Sequence, residues 1–238
     1  MIPNKTTCPK CGKAQSRFNY ECKKCGYFLR DKVPNIDLGS TLSGLLDEPG
    51  ETFDKIIYSE NKNFSSFFLV FAMIKLYFIA IFFSFHFFGY SGEKMLTGYI
   101  QFLLLLAFTL STPFILLKIP GISSTGVRWR DVISGLSYSF APVALSAVIL
   151  IFFEIIIYGE FLFSHSPSPL DFKQMFGVIF VILETAFIVW TITLSSIFFY
   201  RLGSGKIFSI FISIKLLLLL TLVAFLLVNF LSFDNSGI

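Results

Sequence analysis

Charge is scarce in this sequence: only 14% of the 238 residues are Asp, Glu, Lys or Arg, whereas 55% are hydrophobic. A typical soluble domain has about a quarter of its residues charged. The scarcity therefore excludes an ordinary soluble globular domain and indicates that lipid covers part of the surface. The formal net charge of +4 is also too small to indicate nucleic-acid binding, and we expect no nucleic acid as a partner.

Motifs of common enzyme classes are missing as well. The chain has no H-E-x-x-H, no G-x-S-x-G and no dinucleotide-binding fingerprint. Gly203-Ser204-Gly205-Lys206 resembles the end of a phosphate-binding loop, but Tyr200 stands at the first required glycine and Ile207 replaces the final Ser or Thr. We therefore expect a protein that is not an enzyme.

The first thirteen residues contain no apolar stretch typical of a secretory signal. Residues 1–63 hold ten of the nineteen Lys and Arg and eight of the fifteen Asp and Glu. From Phe64 onward the chain consists mostly of long runs of Phe, Leu, Ile and Val. We expect the first sixty residues to lie in the cytosol and the remainder to lie in the lipid bilayer of the cell membrane.

Five apolar stretches are long enough to cross about 30 Å of hydrocarbon, which takes roughly 20 helical residues. Gly, Pro, Ser and charged residues separate them, and none alternates apolar and polar residues as barrel strands do. The predicted fold class is an all-α membrane protein with a five-transmembrane-helix bundle over residues 64–238; the oligomeric state stays open. The predicted spans are residues 64–88, 96–119, 132–158, 173–200 and 207–232.

Positive charges in the short loops predict the orientation of these spans. The loops on the side of the N-terminus carry most of the Lys and Arg, and the opposite loops carry few. We therefore expect a cytosolic N-terminus and an outer C-terminus. The inner residues are Lys118, Arg128, Arg130, Arg201 and Lys206, and the outer ones are Lys94 and Lys173.

All four cysteines lie in two C-x-x-C knuckles, each followed by Gly, and ten residues separate Cys11 from Cys22. Four thiolates at this spacing can hold one tetrahedral metal, so we predict a structural Zn²⁺ in a small zinc ribbon over residues 1–30. Such a site leaves no open coordination position for catalysis. Two alternatives stay open, namely iron on the same ligands and a pair of disulfides, which a cytosolic location disfavours. The predicted ligands are Cys8, Cys11, Cys22 and Cys25.

Residues 31–63 are mostly polar, contain Pro and Gly turns, and are predicted to form a cytosolic linker. Within this linker Phe53, Ile56 and Ile57 follow the i, i+3, i+4 spacing of an amphipathic helix. The helix could lie on the cytosolic membrane surface or pack against the bundle. The pattern alone does not choose between them.

Two segments resemble the Yip family of Ypt/Rab-interacting multi-pass membrane proteins, in its prokaryotic form with a zinc ribbon. Residues 49–56, PGETFDKI, are similar to the family's P-x-E-T-F-x-x-I entry to the first span, and Gly135 to Pro142, GLSYSFAP, to its G-x-x-Y-x-x-x-P signature. The five-span layout agrees. The resemblance covers about residues 47–232 and implies a membrane scaffold or membrane-organising protein. The chain is richer in Phe and poorer in Ala than the family, and the trafficking roles of eukaryotic members are not carried over.

Four ionisable residues lie within the predicted spans: Lys75, Glu154, Glu184 and Lys215. Because a charge in hydrocarbon costs several kcal/mol, such residues face partners, the bundle interior or the interface. Three of them reach comparable depths, about 12–16 Å into their spans, so Glu184 is predicted to pair with Lys75, Lys215 or both. Glu154 is expected to reach the headgroups near the outer end of its span. The predicted network either fixes helix register or lines an ion or proton path.

The function that we expect is an integral membrane scaffold whose zinc ribbon docks a cytosolic protein partner. The alternative is a small transporter or channel in which Lys75, Glu184 and Lys215 line a hydrated cavity. A metal-responsive sensor is a third interpretation, and would require metal that exchanges readily.

Overall fold

The computed structural model describes most of the chain. The described residues are 5–16, 19, 21–29, 36–59, 61–88, 95–116, 127–164 and 167–232. Among the loop lysines used for orientation, Lys94 and Lys118 lie outside these ranges.

The described chain begins with a short hairpin and is then helical. Strand β1 (Lys5–Thr7) pairs antiparallel with β2 (Ala14–Ser16), with Thr6 opposite Gln15. A 3-10 turn at Gly159–Phe163 follows the sixth helix. The helices are α1 (Leu38–Asp47), α2 (Pro49–Tyr58), α3 (Ser65–Phe88), α4 (Met95–Leu116), α5 (Trp129–Ser139), α6 (Ala141–Tyr158), α7 (Pro169–Phe172), α8 (Gln174–Arg201) and α9 (Lys206–Ser232).

The chain divides into two compact units. Unit 1 comprises Met1–Ser66, Ser111–Ser139 and Thr193–Ser213. Unit 2 comprises Phe67–Leu110, Phe140–Ile192 and Ile214–Ile238.

Four helical segments are long and apolar enough to cross a membrane, as expected for a multi-pass membrane protein. They are Ser65–Ser84, Ala141–Phe163, Gln174–Arg201 and Lys206–Asn229. Large apolar side chains are exposed along them, for example Ile156 at 76% and Ile207 at 74%, which water would disfavour and lipid would not. The described apolar part of α4 is shorter, Ile100–Thr112.

The third predicted span, residues 132–158, is two helices. Helix α5 ends at Ser139 and α6 begins at Ala141, with Pro142 in its first turn. Proline has no N–H to donate and its ring clashes with the carbonyl four residues earlier, whereas the first turn of a helix tolerates it, so a new helix starts here more readily than the old one continues. Helix α5 is also less apolar than α6, and its Asp131 and Ser137 are buried. The apolar span therefore begins nine residues later than predicted.

The predicted linker contains two helices, where we expected one. Asp37 starts α1 as its N-cap, because its carboxylate accepts a hydrogen bond of 2.8 Å from the Ser40 N–H. Thr41 and Leu45, one turn apart, are buried. The sequence carried this i, i+4 signal, but Gly39 and Gly44 led us to expect turns.

Helix α2 packs against protein. Phe53, Ile56 and Ile57 are buried within unit 1, and α2 contacts α5. Of the two placements left open by the sequence, the structure has the packed helix. Pro49 stands in the first turn, where its missing N–H has no helical partner to lose.

Candidate functional site

Two knuckles of nearly identical geometry bring the four cysteines together. In the first, Gly12 N–H donates to the Cys8 carbonyl at 2.8 Å, and in the second Gly26 N–H donates to the Cys22 carbonyl at 2.9 Å. Both glycines have φ of +67°. Only glycine adopts this left-handed conformation without strain, which explains its position after each C-x-x-C pair.

The four sulfurs form a compact cluster. All lie within 4.8 Å of one another, with 3.6 Å between Sγ of Cys8 and Cys25 and 3.5 Å between Sγ of Cys11 and Cys22. A disulfide would bring two sulfurs to about 2.05 Å, and no cysteine is bonded to another. The disulfide alternative is therefore not what the structure has. Four sulfurs at about 2.3 Å from one tetrahedral ion would lie about 3.8 Å apart, which the cluster matches.

The thiols differ in acidity. Burial raises the pKa of Cys22, but hydrogen bonds from the backbone of Lys24 and Cys25 outweigh it and lower that pKa to about 6. The backbone of Tyr27 lowers the pKa of Cys25, yet burial and the neighbouring thiols raise it to about 12. Backbone N–H groups are therefore already aimed at sulfur in the second knuckle.

A second cluster lies in unit 2 and consists of three charged side chains. Lys75 of α3 makes an ion pair with Glu184 of α8, and its Nζ lies 3.3 Å from Oε2 of Glu154 on α6. The Lys75 side chain is 3% exposed, and those of Glu154 and Glu184 are 13% and 18% exposed. One ammonium thus serves two carboxylates in a largely apolar setting. We call these three residues the charge cluster.

Of the two partners expected for Glu184, the structure has Lys75, and Lys215 does not join them. Lys215 is exposed on α9 and makes no ion pair with any described residue. Glu154 pairs with Lys75 and does not simply reach the headgroups. The reason is the break before α6: Glu154 lies about 20 Å from the start of α6 at Ala141, and about 33 Å from the start of the predicted span.

The charge cluster borders a cavity of about 250 Å³. Its remaining walls are mostly apolar and aromatic, including Phe78 and Phe180. Tyr158 also lines the cavity; it is 4% exposed, and its hydroxyl has no hydrogen-bond partner among the described residues. A buried hydroxyl without a partner is costly, and this one faces a cavity in which a water or a ligand could supply the partner.

Sequence reasoning missed the role of Glu154 and Tyr158. Both lie on one face of α6, four residues apart, in a run that is otherwise Ile and Phe from Ile151 to Ile157. That i, i+4 pair of polar residues was the available signal.

Residues 49–56 meet the first part of residues 135–142 within unit 1. Gly135 of α5 lies against the ring of Phe198 on α8, and that ring is 5.5 Å from the ring of Phe53 on α2. Next to this contact, Nη1 of Arg201 donates to Oδ2 of Asp54 at 3.2 Å. Helices α2 and α5 therefore pack against the same C-terminal part of α8.

A buried carboxylate stabilises the same region. Asp131 is fully buried; Lys62 lies 3.2 Å from it, and Arg128 donates two hydrogen bonds of 3.1 Å to its carboxylate. Nζ of Lys62 also donates to the carbonyls of Ile56 and Ile57 at the end of α2. Lys62 thus links α2 to α5, since it donates hydrogen bonds to α2 carbonyls and pairs with Asp131 of α5.

Comparison with protein-family models, with curated proteins and with solved structures finds no match to this chain.

Proposed function

We propose that this protein is a non-enzymatic, Yip-like integral membrane scaffold whose N-terminal zinc ribbon docks a cytosolic protein. The observation that carries the proposal is the closed four-sulfur cluster, because a site made only of protein thiols has a structural role and no position for a substrate. Zn²⁺ in this site would fold about 25 residues that bury too little apolar surface to fold alone.

Packing in unit 1 supports the scaffold interpretation. Helix α2 is fixed to α5 and α8 by Phe53, by the Asp54–Arg201 ion pair and by Lys62. A docking module needs such a firmly held base if it is to present a partner at a defined position.

Five spans with the N-terminus in the cytosol belong to the same proposal. Helix α4 has 22 residues, enough to cross about 30 Å of hydrocarbon, and would be the fifth span beside the four long apolar segments. Arg128, Arg130, Arg201 and Lys206 would then lie on the cytosolic side with the cysteine cluster.

The test is metal analysis and partner binding on the full chain purified in detergent. The wild type is compared with Cys22→Ser/Cys25→Ser, which removes two ligands. A matched control, Lys23→Ser/Lys24→Ser, changes the same knuckle without touching a ligand. Proteins captured by the wild type are identified by mass spectrometry, and the strongest one is purified and titrated against all three forms.

One Zn²⁺ per chain and a purified partner that binds the wild type and the lysine variant, but not the cysteine variant, would support the proposal. Iron in place of zinc would overturn the zinc assignment. A partner that binds all three forms equally would overturn docking through the ribbon.

A small transporter is the second candidate, and the cavity beside the charge cluster favours it. Two of the three residues expected to line a transport path, Lys75 and Glu184, do border that cavity, whereas Lys215 does not. Glu184→Gln in proteoliposomes separates the two functions, because transport would stop while docking through the cysteine cluster would persist.

A further inference from the structure

The cavity in unit 2 carries an excess of negative charge. Among the residues that line it, only Lys75, Glu154 and Glu184 are charged, which gives two carboxylates and one ammonium. With all three ionised, the cluster is one positive charge short. In a mostly apolar environment that deficit favours uptake of a cation far more than it would in water.

The other walls suit an organic cation. Phe78, Phe180 and the Tyr158 ring line the cavity, and aromatic faces attract ammonium groups. The unpartnered Tyr158 hydroxyl adds an oxygen that can accept a hydrogen bond from such a group. The buried hydroxyl is independent of the charge count: the charge count calls for a cation, and the hydroxyl for a hydrogen-bond partner, and one ammonium group would supply both.

The volume sets the size of the ligand. An apolar cavity of about 150 Å³ can bind benzene, and this cavity measures about 250 Å³. It has room for one ring or a short chain together with a single polar group. A dehydrated metal ion is disfavoured, since Lys75 already occupies the position between the two carboxylates.

We propose that this cavity is a binding site for a small organic monocation, an arylalkyl- or alkylammonium compound. Its ammonium group donates to the carboxylate of Glu184 or Glu154 and to the Tyr158 hydroxyl oxygen, and its apolar part lies against Phe78 and Phe180. Lys75 holds the two carboxylates in place and balances one of their charges. The site does not depend on the scaffold role or on the cysteine cluster.

The experiment uses three probes of nearly equal size: phenethylammonium, 2-phenylethanol and phenylacetate. Each is titrated calorimetrically into the full-length protein in detergent at pH 7, with detergent alone as the blank. We expect phenethylammonium to bind at least about tenfold more tightly than the alcohol, and phenylacetate to bind most weakly. Equal or tighter binding of the alcohol or the acid, or no binding of any probe, would overturn the proposal.

Substitutions of Glu184 and Tyr158 test whether the probe binds in this cavity. Glu184→Gln should abolish the preference for ammonium over alcohol, and Tyr158→Phe, which keeps the ring, should weaken ammonium binding several-fold. Lys215→Gln removes an exposed charge from the same unit and should leave the affinity unchanged. If Glu184→Gln does not fold, Tyr158→Phe decides: an unchanged affinity for phenethylammonium in that variant contradicts the assignment.

Discussion

The ring of Phe198 on α8 fills the space in which a side chain at Gly135 of α5 would lie. A Cβ built on Gly135 would overlap three atoms of that ring, so the two helices approach as closely as they do only because residue 135 has no side chain. Phe198 in turn contacts Phe53, and all three residues are in unit 1. Glycine is therefore required here for close approach, while its φ is not in the left-handed region.

Gly135→Ala is expected to destabilise the protein by about 1–3 kcal/mol, because Phe198 must leave its position in a packed core. The better helix propensity of Ala offsets part of this loss, by about 1 kcal/mol. Thermal unfolding in detergent measures the effect. Gly205→Ala is the control, since a Cβ there meets nothing within 4 Å.

A double-mutant cycle tests the cause. Phe198→Leu makes room beside residue 135, so Gly135→Ala should cost less in that background than in the wild type, with a coupling energy of about 0.5–3 kcal/mol. Additive effects of the two substitutions would show that the loss does not arise from their contact.

Asp131 is the carboxylate on which Lys62 and Arg128 converge. We expect Asp131→Asn to destabilise the protein by about 1–3 kcal/mol, because it removes the charge that balances a largely buried lysine. This loss of stability is smaller than the loss expected for a fully buried ion pair, because Arg128 is half exposed and water screens its charge. Asp47→Asn, at an exposed position at the end of α1, is the matched control and should be nearly neutral. Equal losses in both variants would contradict the role given to Asp131.

Long apolar runs were sufficient to predict the long apolar helices, because a backbone in lipid must satisfy its own hydrogen bonds. The break at Phe140 was harder to see, since Pro142 allowed either a kink or a new helix. The new helix is explained by α5, which is polar and buried around Asp131. That burial depends on Lys62 and Arg128, whose positions beside Asp131 only the structure gives.

Of the two candidate sites, the cysteine cluster could be predicted from the sequence and the charge cluster only in part. The C-x-x-C-G spacing sufficed to predict the sulfur cluster, because its geometry is local. In the charge cluster, residue counting brought Lys75 and Glu184 to matching depths, but it misplaced Glu154 because the apolar span begins at α6, and it gave no direction around a helix. Helix α9 is apolar on every side, so no stripe indicated that Lys215 is exposed, whereas the Glu154–Tyr158 spacing on α6 could have been used.

Removal of metal is expected to unfold the knuckles locally. After treatment with a strong chelator, trypsin should cleave at Lys10, Lys13, Lys23 and Lys24 many times faster than in the metal-loaded protein, because metal binding supplies the folding free energy of so small a segment. Cleavage after exposed Lys173 on α7–α8 reports the general protease rate and should not change. Equal protection with and without metal would contradict a metal-dependent fold.

Acid is expected to weaken the start of α1. The backbone N–H of Ser40, together with its hydroxyl, holds the pKa of Asp37 below its ordinary value of 3.8. The folded pKa is thus the lower one, so the stabilisation is complete above about pH 4 and is lost as the pH falls through the folded pKa. Asp37→Asn keeps a capping side chain without the charge. The difference in Thr41 amide exchange between wild type and variant should therefore shrink below about pH 4, and a difference independent of pH would contradict this origin.

Lys75 and Lys215 are two lysines of the apolar helices with opposite surroundings. Lys75→Met should destabilise the protein by about 3–5 kcal/mol at pH 7, because it leaves the carboxylates of Glu154 and Glu184 buried without their cation. Lys215→Met replaces an exposed charge on an apolar helix with an apolar side chain, and should be neutral or stabilising. Thermal unfolding of both variants in the same detergent gives the comparison. If Lys215→Met is the more damaging substitution, the charge cluster described in unit 2 is wrong, because the lysine that balances Glu184 would then be the one on α9.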